Sequence, residues 1–75
     1  MIITTAGGAT FNTELDARSN LIQHLIGNYG QMRMSTLTII GIAGTHEEFM
    51  EERTDLLVKD QFGQTYVICE DYIWQ

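Results

Sequence analysis

The sequence predicts an α+β domain in which one amphipathic helix packs on a small, strongly bent antiparallel sheet. Two short runs rich in β-formers, residues 56–59 and 65–69, flank Asp60, Gln61, Phe62, Gly63 and Gln64, which is the length and composition of a hairpin loop with Gly63 at positive φ. Residues 13–29 repeat apolar side chains at helical spacing. Residues 32–43 alternate as a strand does but change parity twice, which a strand bent by a bulge, or one buried on both faces near its C-terminal end, absorbs.

In order along the chain, residues 1–6 form a strand, since paired isoleucines and threonines suit a pleated surface. Gly7 and Gly8 end it as a turn. No Lys-Ser or Lys-Thr follows at Walker spacing and no G-x-G-x-x-G is present, so the pair does not read as a phosphate loop. Over 13–29, Leu15, Ile22, Leu25, Ile26 and Tyr29 make one stripe, widened by Leu21. Thr13 and Asp16 match an acidic capping box, Glu14 and Asp16 suit the positive end of the helix dipole, and Gly30 is placed to end the helix in a left-handed conformation.

In the bent strand, Met32 and Met34 alternate with Arg33 and Ser35; parity then shifts to Leu37 and Ile39, and back at Ile40 and Ile42. Gly41 and Gly44 mark the bend and the stop. Residues 45–54, T-H-E-E-F-M-E-E-R-T, read as an acidic loop in which one of Phe49 and Met50 anchors to the core. The hairpin at 55–60 and 64–69 follows, then Glu70, Asp71 and a terminal strand at 72–75. This order of elements over residues 32–75 resembles a small SH3-like barrel, which implies a closed sheet with the N-terminal strand and helix as additions. A helix lying across an open antiparallel sheet fits the same residues.

A domain of 75 residues buries only about 60% of the surface its unfolded chain exposes, so the core is thin and a deep catalytic cleft is disfavoured. A homodimer is one way to bury more. Four Lys and Arg against ten Asp and Glu give a net charge of -6, which repels phosphate backbones and suits a basic protein partner. The single cysteine forms no internal disulfide, the first residues lack the basic region of a signal peptide, and the longest apolar run, 37–43, is far below the ~20 residues a bilayer requires. A soluble cytoplasmic protein is expected, with no membrane association.

Catalytic patterns are absent. Cys69 has no accompanying nucleophile signature and reads as a small buried hydrophobe, with either it or Ile68 facing inward. His46 with Glu47 and Glu48 is the one cluster of candidate metal ligands, but zinc spacing and the calcium-loop pattern are both missing, so no metal or other cofactor is expected. His24 reads as a boundary residue of the helix stripe. No paired carboxylates sit in an apolar context that would raise one pKa for acid-base work.

These residues lead to the expectation of a non-catalytic, acidic protein-binding module. Glu47, Glu48, Glu51, Glu52 and Asp55 form either its charged contact surface or a solvated acidic face, and Tyr72 and Trp74 are either aromatic anchors of that surface or, for Trp74, a plug at the end of the sheet. The expected partner is a basic protein, including one whose groove holds nucleic acid, with no direct nucleic-acid binding by this chain. Small, acidic, motif-poor domains of this kind resemble phage or mobile-element inhibitors of host machinery, anti-CRISPR proteins among them. A homo-oligomeric structural role and a small-ligand-binding domain are the alternatives.

Overall fold

The computed structural model describes residues 1–75. Its elements are β1 (Ile2–Thr4), β2 (Thr10–Thr13), the helix α1 (Asn20–Ile26), β3 (Thr38–Glu48), β4 (Glu51–Lys59), β5 (Thr65–Cys69) and a closing 3-10 turn, Glu70–Ile73. The strands form one sheet in the order β1-β2-β3-β4-β5. Neighbours are antiparallel except β2 and β3, which are parallel because residues 14–37, including α1, return the chain to the starting end of the sheet. The sheet is therefore mixed rather than wholly antiparallel. It is not closed, since β1 and β5 stand at opposite edges.

The turn after β1 leads into β2, a strand that the sequence pattern conceals. With four residues it offers one cycle of alternation, Phe11 and Thr13 inward and Thr10 and Asn12 outward. Gly7 is required there because a Cβ would come within 2.6 Å of the Tyr29 backbone, and Gly8 takes φ 86°.

The helix is shorter than the expected 13–29. Thr13 ends β2 instead of capping α1: its hydroxyl donates to the Ile39 carbonyl at 2.8 Å and accepts from the Leu15 N–H. Asp16 caps a separate turn by accepting from the Arg18 N–H at 2.8 Å. The N-cap is Ser19, whose hydroxyl accepts from the Ile22 N–H, and Gly27 closes the helix in ordinary right-handed geometry, so Gly30 is not the left-handed stop. Ile22 and Leu25 are fully buried, whereas Tyr29 lies beyond the helix and is exposed.

The expected strand at 32–43 divides. Met32 makes a single bridge to Trp74, and β3 begins only at Thr38. The parity change at Ile40 coincides with a register shift between Ile39 and Gly41, whereas the earlier change, between Met34 and Leu37, precedes β3, and a second register shift, between Ile42 and Gly44, has no counterpart in the pattern. Residues 45–54 are not a loop; they complete β3, turn, and begin β4. Of the expected terminal strand at 72–75, Tyr72 and Ile73 belong to the 3-10 turn, while the chain end pairs strand-like with residues 31–33. The Arg33 N–H donates to the Ile73 carbonyl at 2.7 Å and the Gln75 N–H to the Gln31 carbonyl at 2.9 Å, on either side of the bridge between Met32 and Trp74.

One core joins these pieces. Ile3, Phe11, Ile39, Leu56 and Val58 from the sheet meet Ile22 and Leu25 from the helix, and Ile73 from the closing turn. No helix is long and apolar enough to cross a membrane. With stability of order 5 kcal/mol in a domain this small, a Leu25→Ala loss of about 2 to 5 kcal/mol should remove a large share of it, read as a much lower urea midpoint by circular dichroism.

The β4–β5 loop is held by Asp60. Its Oδ1 accepts from the N–H groups of Phe62 and Gln64 at 2.8 and 2.9 Å, its Oδ2 accepts from the Tyr66 hydroxyl at 3.0 Å, and Gly63 takes φ 83°. Partial desolvation raises the Asp60 pKa, but the bonds from Gln64, Tyr66, Phe62 and Gly63 together outweigh it, and the carboxyl titrates below the ordinary aspartate range. A depressed pKa stabilises above the unfolded value, and the contribution disappears as pH falls through the folded one. The advantage in melting temperature of the parent over Asp60→Asn should accordingly be full at neutral pH and shrink below the ordinary aspartate range.

Candidate functional site

The hairpin of β3 and β4 ends in the two-residue turn Phe49-Met50, with φ of 52° and 65°. Positive φ at both central residues is the type I′ arrangement, which usually recruits Asn-Gly; a non-glycine residue there is strained by about 1 to 2 kcal/mol. Phe49 is 87% exposed and Met50 100%, so neither anchors the segment to the core as expected.

Behind the tip the ladder sets like charges opposite one another. Glu48 faces Glu51 and Glu47 faces Glu52, pairings that repel across an antiparallel ladder. On the next rung His46 faces Arg53. The Arg53 guanidinium is bound by Glu51 at 2.8 Å and by Asp71 of the closing turn at 3.0 Å, which ties the arm to the body.

The predicted contact residues divide accordingly. Glu47, Glu48, Glu51 and Glu52 form a collar around an apolar tip. Asp55 lies at the root of the arm, where its carboxylate meets His46 Nδ1 at 2.9 Å. The hydrogen bond to Asp55, then that to Glu48 at 3.4 Å from Nε2, outweigh partial desolvation and raise the His46 pKa above its ordinary value. Tyr72 is exposed on the closing turn, whereas Trp74 is half-buried and packs against the core.

Two features were missed in the sequence. Phe49 and Met50 form the tip, and the signal for it is the near-symmetry of T-H-E-E and E-E-R-T about F-M. Cys69 is not a core thiol; Ile68 packs against the core, and Cys69 is half-buried beside His46 and Asp55. Elsewhere, a cleft of about 400 Å³ between α1, β4 and the closing turn is lined only by polar and charged side chains. It includes His24, whose Nε2 is 2.6 Å from Glu70 Oε1.

The chain matches no protein-family model, no curated protein and no solved structure, so its chemistry is read from its own residues.

Replacing Phe49-Met50 by Asn-Gly relieves the turn. The double variant should gain about 1 kcal/mol after the extra unfolded-state entropy of glycine, which raises the melting temperature by roughly 4 to 8 °C. An unchanged or lower melting temperature would remove the strain from this account.

Proposed function

We propose that the chain is a non-catalytic protein-binding module that works through its β3–β4 arm. Phe49 and Met50 enter an apolar pocket on the partner, and Glu47, Glu48, Glu51 and Glu52 pair with a basic rim around it. The observation that carries this reading is the tip itself: two large apolar side chains held in strained backbone, 87% and 100% exposed, with two facing pairs of glutamates directly behind them. Strain of this kind persists where function requires it.

A strongly basic surface is the electrostatic footprint of proteins that hold nucleic acid. Inhibition of such a host protein in the cytoplasm, the role of phage anti-defence proteins of the anti-CRISPR kind, is the biological setting that fits this chemistry. Direct nucleic-acid binding does not fit. Three of the four basic side chains, Arg18, Arg53 and Lys59, are already paired with carboxylates. The all-polar cleft lacks the apolar lining of most small-molecule sites.

A second reading, assembly into a homo-oligomer, is favoured by one feature. The edge strand β5, T-Y-V-I-C, carries no charge and no proline to block pairing with another copy, and Val67 on it is exposed. Light scattering across concentration separates the two, since assembly through β5 grows with concentration without any partner.

To test the arm, the parent, the Asn-Gly turn variant and the quadruple glutamine variant at Glu47, Glu48, Glu51 and Glu52 are immobilised in parallel against host lysate. A protein retained by the parent should be lost from both variants. With that protein purified, the glutamine variant should associate at least tenfold more slowly and with weaker salt dependence, while Phe49→Ala should chiefly speed dissociation. Equal retention by all three baits would sink the arm as the contact surface.

A further inference from the structure

We propose that His46, Asp55 and Cys69 form a binding site for one divalent cation of the zinc class. They come from three adjacent strands, and the ladder sets them on one face. Asp55 is the partner of Cys69 across β4–β5 and of Gly44 across β3–β4. His46 stands two residues beyond Gly44, so its side chain returns to that face. Gly44 has no side chain, which leaves the imidazole room to lean back over Asp55.

One ligand atom from each residue, an imidazole nitrogen, a carboxylate oxygen and the thiol sulfur, lies within 4.8 Å of the others. Around a tetrahedral zinc with bonds of about 2.0 to 2.3 Å, ligand atoms stand roughly 3.3 to 3.8 Å apart, so the widest gap closes by about an ångström. The strands are fixed by their ladders, while the gap of 2.9 Å between His46 and Asp55 has to open slightly to admit the ion.

The environment of the imidazole supplies an independent argument. Nδ1 faces both Asp55 oxygens, Oδ1 at 2.9 Å and Oδ2 at 3.0 Å, while Nε2 lies 3.4 Å from Glu48 Oε2. A metal-bound histidine usually donates its other ring N–H to a carboxylate, which fixes the tautomer. Glu48 occupies that place, so that once the Nδ1 proton now donated to Asp55 has left, the Nδ1 lone pair faces Asp55 and Cys69.

On binding, the thiol proton of Cys69 and the Nδ1 proton of His46 pass to solvent. Thiolate and carboxylate then balance the two charges of the ion. Arg53, the cation opposite His46, is already neutralised by Glu51 and Asp71. A thiolate with an imidazole selects zinc-class ions over calcium or magnesium, which prefer oxygen alone, and three protein ligands leave a fourth position for water. Such an ion would rivet β3, β4 and β5 together at the root of the arm.

The test uses the metal-free chain titrated with Co²⁺. One equivalent should produce thiolate-to-metal charge-transfer absorption, Zn²⁺ should displace it, and Zn²⁺ should slow the reaction of Cys69 with a thiol reagent at least tenfold. Cys69→Ser should abolish the band, and His46→Gln or Asp55→Asn should weaken Zn²⁺ binding tenfold or more. Glu48→Gln should weaken it by roughly ten- to a hundredfold, while Glu14→Gln, remote from the cluster, should leave it unchanged. The first measurements use only the parent chain, so a variant that fails to fold does not affect them. The proposal is overturned if millimolar metal gives neither band nor protection, if two chains share one ion, or if the band survives His46→Gln and Asp55→Asn in folded protein.

Discussion

The fold depends on β3 being paired along both edges. On one side it meets β2 in parallel, and on the other it meets β4 in antiparallel, so it alone joins the N-terminal and C-terminal halves of the sheet. The joint centres on Ile39. It pairs with Thr13 and Val58, its side chain is 2% exposed, and its carbonyl accepts from both the Thr13 hydroxyl and the Glu14 N–H. A slip of one residue there would turn Ile39 outward and separate the halves of an eight-residue core.

Features with a local cause were legible in the sequence. Asp60 and Gly63 act within five residues of each other, and the parity change at Ile40, which marks the first register shift of β3, is written in the chain itself. The buried centre of the helix, Ile22 and Leu25, followed from spacing, but its ends did not, because Thr13 and Asp16 resemble caps while serving a strand joint and a separate turn. The glutamate collar was legible as composition. The exposure of Phe49 and Met50 ran against the usual inward placement of large apolar residues. The cluster of His46, Asp55 and Cys69 depends on ladder register across three strands, and no single stretch of sequence encodes it.

The arm and the body follow opposite rules. In the body, buried apolar residues, satisfied turns and a well-capped short helix agree with one another, as expected of a sequence that specifies one structure. In the arm, backbone strain, facing glutamates and solvated apolar side chains all oppose the hairpin. The opposition is tolerable because none of these residues belongs to the core cluster. An energetic penalty placed there weakens the tip without loosening Leu56 or Val58.

The parallel joint also governs the order in which the chain can organise itself. The β3–β4 and β4–β5 hairpins close short loops, whereas pairing Asn12 with Thr38 and Thr13 with Ile39 closes a far longer stretch for only a two-rung ladder. Loop entropy disfavours that closure until something else has gathered its ends. The strained Phe49-Met50 turn and its facing glutamates work against the first hairpin of the C-terminal meander, but on loop entropy alone the meander can pair before β1, β2 and α1 dock onto the β3 edge. Until they do, that edge is an open row of unpaired backbone groups, and the period before docking is when the chain is most prone to pair with the wrong neighbour.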